Sequence, residues 1–234
     1  MGWLVIDILR DPALFARVLP EAESAFLPSE GDKKRLDIVT LCNSPLLQSV
    51  YAETLRIRTA NMLPRIFETG EQPLKGWMFP KKSVMFILGN IVGFDKKVWN
   101  VGNEEDPHPV EEFWADRFLI YPNNPRSGPL RNPVAEITKD AKQESGSKEN
   151  IPRFSTTGLT GAWIPYGGGN NMCPGRHFAK QELIGTFAML CAHFDLEILT
   201  PAGFKLEPDT RYRMFGAMPV KGKIPARVRR RLGA

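Results

Sequence analysis

One glycine-rich stretch sets the plan of this chain: Trp163-Ile164-Pro165-Tyr166-Gly167-Gly168-Gly169-Asn170-Asn171-Met172-Cys173-Pro174-Gly175-Arg176-His177-Phe178-Ala179. Its three consecutive glycines lack Cβ atoms, so the backbone can lie flat against a bulky neighbour. Cys173 follows, and Pro174 after it suits the first turn of a helix. A thiol at a helix N-terminus meets unpaired N–H groups and the positive end of the helix dipole, which favour the metal-binding thiolate.

Apolar residues recur at helical spacing after the cysteine, and this pattern predicts one long helix extending toward residue 199. Its apolar positions are Phe178, Leu183, Ile184, Phe187, Leu190, Cys191 and Phe194. Helices are also predicted at residues 2–10, 12–26 and 45–57. The second should kink or split at Pro20. For the third, Ser44 is the expected N-cap and Pro45 the first helical residue.

Short strands are predicted between the helices, at residues 62–68, 77–79 and 83–88, because glycines and prolines punctuate this region. We further expect a short helical piece at residues 110–118 and a terminal hairpin at residues 201–219. An exposed insertion is expected at residues 123–160, which hold few large apolar side chains. The expected fold class is mainly α with small β-sheets (α+β).

Charge and cysteine usage exclude several classes of protein. The net charge is +5, but much of the excess lies in the tail at residues 227–231, which we expect to be solvated and frayed. No basic stripe interleaved with aromatic residues accompanies it, so we expect no nucleic-acid partner. The three cysteines are far apart, at positions 42, 173 and 191, which argues against a disulfide scaffold and against a structural zinc site.

The glycine-rich loop fits neither common nucleotide-binding motif. A phosphate loop needs Gly-Lys-Ser/Thr, which does not follow, and a dinucleotide fingerprint needs a third glycine where Met172 stands. The residues themselves leave two interpretations. The loop either presents Cys173 as a ligand or places a buried thiol at the start of a helix.

Two further motifs precede the loop. In Glu53-Thr54-Leu55-Arg56, the acid and the base share a helix face and can pair with each other. On its own, this motif is equally typical of an exposed ion pair of little energetic value. The second motif is the arginine segment, Phe113-Trp114-Ala115-Asp116-Arg117-Phe118, which on its own resembles an ordinary amphipathic turn.

In this order and at these separations, the three motifs resemble those of the cytochromes P450, the haem-thiolate monooxygenases. Glu53-x-x-Arg56 resembles the family's K-helix motif, and residues 115–118 resemble its Pro-Glu-Arg-Phe segment. Residues 166–175 resemble the Phe-x-x-Gly-x-Arg-x-Cys-x-Gly signature, in a style closer to fungal members. The resemblance covers the C-terminal half of the family's fold, and the N-terminal half and most of the I helix are expected to be lacking.

The resemblance implies one truncated P450 domain over residues 1–234. Residues 1–60 would hold the end of the I helix and the J and K helices. Residues 61–122 would hold the β1 region and the arginine segment, and residues 123–160 a variable insertion. Residues 161–234 would hold the haem-binding loop, the L helix and a terminal β-hairpin.

The resemblance also implies the site residues. Cys173 would be the thiolate ligand of the iron of haem b, and Glu53, Arg56 and Arg117 would form a structural network behind the loop. The other cofactor-binding positions would be Arg65, Tyr166, Gly167, Gly169, Asn171, Gly175 and Ala179. The substrate would be bordered by Thr59, Ala60, Asn61, Met62, Leu63, Phe215, Gly216 and Ala217. Tyr166 departs from the family's Phe, and Asn171 departs from its Arg or His, so one propionate contact is expected to be weakened or lost.

The activity implied is insertion of one oxygen atom from O2 into a lipophilic small-molecule substrate, with electrons from NADPH passing through a cytochrome P450 reductase. Two alternatives stay open: a catalytically incompetent fragment or incomplete gene model without turnover, and a haem-thiolate isomerase that needs no reductase. No signal or transmembrane segment is recognisable, so the localisation of this chain is unassigned. Full-length eukaryotic members are anchored in the endoplasmic reticulum, so we expect membrane attachment only through a missing N-terminal anchor.

Overall fold

A helix buried on nearly all sides, α4 (Pro45–Arg58), lies at the centre of the fold. The computed structural model describes residues 2–29, 34–132, 151–201, 203–213 and 215–231. One hydrophobic core joins α4 to the helices on one side of it. A second core packs Ala52 of α4 against aromatic residues that include Trp99 and Phe118. Because both cores share α4, its buried polar residues Ser49, Glu53 and Arg56 are hydrogen-bonded inside the protein.

The described helices are α1 (Gly2–Leu9), α2 (Pro12–Ser24), α3 (Ile38–Asn43), α4, α5 (Gly89–Gly93) and α6 (Arg176–His193). The helices predicted at residues 2–10, 12–26 and 45–57 are confirmed to within two residues. Helix α2 continues as one helix through Pro20, so the predicted split is wrong. The long helix after the cysteine is confirmed as α6, although it ends at His193, and the chain continues as a strand from Phe194.

Ser44 is the N-cap residue of α4 and Pro45 its first residue, as predicted, but another side chain supplies the capping hydrogen bonds. The side chain of Ser44 makes no such bond. The carboxylate of Glu21 in α2 instead accepts hydrogen bonds from the backbone N–H groups of Leu46 at 3.1 Å and Leu47 at 2.9 Å. An acid near a helix N-terminus complements the helix dipole as well as the unpaired N–H groups. Sequence spacing could not show this cap, because its donors and acceptor lie on different helices.

The described strands form small antiparallel sheets, and one of them supports the site. Its central strand β3 (Thr59–Ile66) follows α4 directly and pairs with β6 (Val84–Leu88) and β10 (Phe215–Ala217). The remaining strands pair two by two: β1 (Phe26–Pro28) with β2 (Lys34–Leu36), β4 (Gln72–Leu74) with β5 (Trp77–Phe79), β7 (Leu119–Ile120) with β8 (Arg153–Phe154), and β9 (Phe194–Ile198) with β11 (Ala226–Arg230). The predicted α+β class is confirmed.

Two of the C-terminal predictions hold only in part. The two arms of the predicted hairpin meet where Pro208 pairs antiparallel with Val220 and the N–H of Asp209 donates to the carbonyl of Pro219 at 2.8 Å, but β10 pairs with β3, far away in sequence. The arginine-rich tail is exposed, as predicted, but it is not frayed: it forms β11, in which Arg227 lies opposite Glu197, and their side chains pair at 2.5 Å. Strand pairing gives the tail backbone partners that its composition does not reveal.

Two predictions between the sheet and the loop also need correction. Residues 110–118 form turns rather than a helix, since Trp114 and Arg117 are drawn inward by hydrogen bonds to Glu53. The flanks of the predicted insertion are exposed only in part, because Leu130 and Leu159 are buried in the second core. Residues 133–150 of that segment lie outside the described residues.

No helix in the described ranges is both long enough and apolar enough to cross a lipid bilayer.

Candidate functional site

The cysteine loop runs across the surface and ends with an exposed thiol. The backbone N–H of Cys173 donates to the carbonyl of Tyr166 at 2.9 Å, which closes the loop between them. Gly167 and Gly169 both have positive φ, at +82° and +67°, a backbone conformation that favours glycine. Helix α6 begins only at Arg176, with Gly175 as its N-cap residue, so Pro174 precedes the helix instead of opening it. Cys173 is exposed.

Strand β3 holds one side of this loop through alternate residues. The side-chain amide of Asn61 donates to the carbonyls of Ile164 at 2.9 Å and Pro165 at 3.3 Å. The guanidinium of Arg65 donates to the carbonyl of Gly168 at 3.0 Å. Because side chains alternate along a strand, Asn61 and Arg65 share the face that meets the loop. The structure therefore brings Arg65, a predicted cofactor-binding residue, to the loop and turns the amide of Asn61 toward the loop backbone.

Helix α4 holds the other side of the loop. The indole N–H of Trp163 donates to the carbonyl of Ala52 at 3.2 Å, and Lys180 in α6 donates to the side chain of Gln48 at 2.7 Å. Between these two contacts, the hydroxyl of Tyr166 lies 2.6 Å from that of a buried tyrosine, Tyr51. These contacts fix the start, the middle and the end of the cysteine loop region to a single helix.

Glu53, Arg56 and Arg117 meet behind the loop in a fully buried cluster. The Nε of Arg56 donates to Glu53 at 2.7 Å, and the Nε of Arg117 donates to the other carboxylate oxygen at 2.9 Å. All three side chains have a solvent exposure of 0%. The exposed ion pair that Glu53-x-x-Arg56 left open is therefore excluded.

Backbone carbonyls complete this cluster, which carries one negative and two positive side chains. Arg56 donates to the carbonyl of Gly93 at 2.6 Å, and Arg117 donates to the carbonyls of Asn100 and of Pro109. The guanidinium of Arg56 also lies 5.3 Å from the ring centre of Trp99, within cation–π range. Burial lowers the pKa of Arg117, and the carboxylate of Glu53 counteracts this effect. The second positive charge is thus accommodated by carbonyl dipoles rather than by a second acid.

The two segments predicted to border the substrate are neighbours in space. In the β3–β10 pair, Ala60 lies opposite Gly216 and Thr59 opposite Ala217. Thr59 and Ala60 are buried at the start of β3, whereas Met62 and Leu63 are half-buried. The backbone of Phe215 pairs with that of Asn61, and the side chain of Phe215 is outside the described part.

The surface around Cys173 fits a flat apolar group with an acidic edge, such as a porphyrin. Met172, next to the cysteine, is 40% exposed, and Phe178, in the first turn of α6, is 70% exposed. A Cβ placed on Gly168 or Gly169 would meet no heavy atom within 4 Å, so the loop backbone is uncovered at these two residues. Arg65 lies at the same loop and supplies a cation suited to a carboxylate. Among the described residues, no group of three or more His, Cys, Asp or Glu side chains is placed to hold a bare metal ion.

The remaining predicted cofactor positions lie in the loop and at the start of α6. Gly167 is buried, Asn171 and Gly175 are exposed, and Ala179 is half-buried. Sequence reasoning missed three residues that hold the loop: Tyr51, Ala52 and Trp163. No local pattern marks them, because each contact joins residues more than 100 positions apart.

Comparisons with known proteins agree with this geometry. The cytochrome P450 monooxygenase efuG of Hormonema carpetanum is 40% identical over 98% of this chain, and fsoE of Humicola fuscoatra is 39% identical over the same share. The crystal structure of the cytochrome P450DA haem domain matches 98% of the chain with a TM-score of 0.63 at 17% identity. No protein-family model matches. The chain spans about 40% of the length of each of these three proteins. In sequence and in fold, the chain corresponds to the C-terminal part of a cytochrome P450.

Proposed function

We propose that this chain forms the thiolate-bearing wall of a haem site in a monooxygenase, in which Cys173 would supply the thiolate that holds the iron. The observation that carries the proposal is the exposed thiol of Cys173 on a loop fixed from behind by β3 and α4. Such bracing suits a ligand that must keep one position, because a metal-binding side chain is oriented by the contacts around it.

Each loop residue then has a defined task. Gly167 and Gly169 adopt the left-handed turns that bring the backbone around to Cys173. Arg65 would pair with a propionate from the same side on which it already holds the loop carbonyl of Gly168. Met172 and Phe178 would exclude water from the thiolate side. When bound, a haem with a cysteine thiolate supplies oxygen activation, because the thiolate donates electron density that favours O–O cleavage.

The activity of the whole protein extends this proposal. The two fungal relatives are named monooxygenases, which supports a lipophilic substrate, haem b as the cofactor, and a reductase that delivers electrons from NADPH. We further propose that β3 and β10 border that substrate. For the 234 residues alone we propose no turnover, because Cys173 lies exposed at the surface of the part that the structure describes.

The thiolate band tests the proposal. After haem is added to the 234-residue chain, reduction and addition of carbon monoxide should give the red-shifted Soret band of thiolate ligation. Cys173→Ala should abolish that band, whereas the matched variant Cys42→Ala, at a half-buried cysteine of α3, should keep it. A chain that takes up no haem, or a band that survives Cys173→Ala, would contradict the assignment.

Asn171 gives one reason to keep the isomerase alternative under test. It is an exposed amide where the family carries a cation, so it offers no charge to a propionate. A protein containing this chain should oxidise substrate only with NADPH and a reductase. Substrate rearrangement without any reductant would favour the isomerase instead.

A further inference from the structure

Two tyrosine hydroxyls meet between α4 and the cysteine loop. The oxygen atoms of Tyr51 and Tyr166 are 2.6 Å apart, a short distance for a hydrogen bond between hydroxyls. Tyr51 is 4% exposed and belongs to the first core, and the ring of Tyr166 packs against that core. The pair is therefore partly shielded from water, which competes with hydrogen bonds at the surface.

Tyr166 transmits this contact to the cysteine. Its side chain is bonded to α4, and its carbonyl accepts the backbone N–H of Cys173 at 2.9 Å. Gly167 follows it with positive φ, so the chain turns sharply just after the anchored residue. A displacement of the Tyr166 ring would therefore displace the acceptor of the Cys173 amide.

We propose that Tyr51 is a positioning residue for Cys173, and that it acts through the hydroxyl of Tyr166. The use of Cys173 as a ligand rests on the proposed function, but the positioning itself does not. The Tyr51 hydroxyl gives the tyrosine at position 166 a partner that the phenylalanine of the family signature cannot use. The two residues act as a pair, because each hydroxyl is the hydrogen-bond partner of the other in a part-buried position.

The chemistry of the pair supports a permanent contact. Burial raises the pKa of Tyr51 and that of Tyr166, so both hydroxyls keep their protons at neutral pH. One hydroxyl then donates while the other accepts. Removing a single hydroxyl leaves the other without its partner, whereas removing both leaves two phenyl rings in an apolar core. Each single variant should consequently hold the Cys173 amide less firmly than the double variant does.

Amide exchange in the haem-free 234-residue chain tests the positioning. In Tyr51→Phe, exchange of the Cys173 amide should be about tenfold faster than in the unmodified chain, because its acceptor is less firmly held. In Tyr51→Phe/Tyr166→Phe, exchange of the Cys173 amide should return most of the way to the rate of the unmodified chain. Tyr121→Phe is the matched control, since it removes a hydroxyl bonded to Asp116 at 2.9 Å elsewhere in the fold and should leave the loop unchanged. Equal exchange in Tyr51→Phe and Tyr121→Phe would overturn the proposal.

A spectroscopic measurement on the haem-loaded chain separates positioning from general stability. In the reduced carbon monoxide complex, Tyr51→Phe should retain a smaller share of the thiolate band than the unmodified chain does, and the double variant should regain most of it. A thiolate band of equal intensity in all three proteins would contradict the proposal. If no thiolate band forms at all, the proposed function fails, while the exchange experiment still decides the positioning role.

Discussion

Glu53→Gln should lower the free energy of unfolding by about 3–5 kcal/mol, because it removes the only acid from a buried cluster with two guanidinium groups. The carboxylate accepts four hydrogen bonds, two from Arg56, one from Arg117 and one from the backbone N–H of Trp114. Glutamine has the same shape but turns an NH2 group toward a guanidinium donor. A loss of this size approaches the lower end of the total stability of a typical domain, roughly 5 kcal/mol.

Urea denaturation followed by tryptophan fluorescence measures this loss. Glu111→Gln is the matched control, because it makes the same chemical change in an exposed pair with Lys96, in which the side chains are 56% and 66% exposed. Exposed pairs contribute little, so we expect the control to stay within about 1 kcal/mol of the unmodified chain. If Glu53→Gln is as stable as Glu111→Gln, the buried cluster does not support the fold. A Glu53→Gln chain that fails to fold agrees with the prediction.

The buried cluster shows what the sequence could reveal about the site. Glu53-x-x-Arg56 alone could not be told from a surface ion pair, because spacing determines which residues share a helix face and not whether that face is covered. The resemblance to the cytochromes P450 rested on the order of the three motifs. The expectation that Glu53 and Arg56 are buried rested in turn on that resemblance. The order of the motifs was informative, because Arg117 bonds to Glu53 although the two residues are 64 positions apart.

The contacts that hold the cysteine loop could not be predicted from the sequence, for a different reason. Helices α2 and α4 were predicted closely, because a proline at the first position and apolar periodicity are local signals. The pairing of β10 with β3 and the contact of Tyr51 with Tyr166 join residues more than 100 positions apart. Such contacts depend on how the elements pack, and one sequence without an alignment carries no record of packing. The tail was expected to be frayed for the same reason. Its partner β9 occupies residues that were predicted to extend the preceding helix.

Helix α4 connects the buried cluster to the loop through residues that are consecutive in sequence. Tyr51 and Ala52 hold Tyr166 and Trp163, while Glu53 holds the arginine segment. Neighbouring residues of a helix point in different directions, so one turn can contact the loop and the cluster at once. A shift of α4 would move both sites together, which explains why a helix at this position is buried on nearly all sides.

A second charged pair, on the opposite side of α4, should make stability depend on pH. Asp7 in α1 lies 3.4 Å from Arg58, and the side chain of Asp7 is 11% exposed. Arg58 stacks 3.7 Å from the ring centre of Trp3, and its carbonyl accepts the N–H of Met218, next to β10. Burial raises the pKa of Asp7 from 3.8 to about 6, even though Arg58 and Arg10 act to lower it. Burial also lowers the pKa of Arg58, so for both groups the loss of water outweighs their mutual attraction.

The sign of the pH dependence follows from the raised pKa of Asp7. Between about pH 4 and pH 6, the folded chain binds a proton at Asp7 that the unfolded chain has released. The stabilisation is therefore complete below the unfolded pKa and is lost as the pH rises through about 6. A pKa difference of about two units corresponds to about 3 kcal/mol. Relative to Asp7→Asn, which cannot titrate, the unmodified chain should thus lose up to about 3 kcal/mol between pH 4 and pH 7.

Denaturation of both chains at several pH values measures this difference, because titrations elsewhere in the protein are common to the two and cancel. Asp195→Asn is the matched control, at a strand position where the side chain is 58% exposed and pairs with Arg231. Its difference from the unmodified chain should vary little over the same range, because solvent screens an exposed pair. If instead the unmodified chain gained stability over Asp7→Asn as the pH rose, Arg58 would outweigh the cost of burial, and the pair would hold α1 to the end of α4 by attraction rather than by packing.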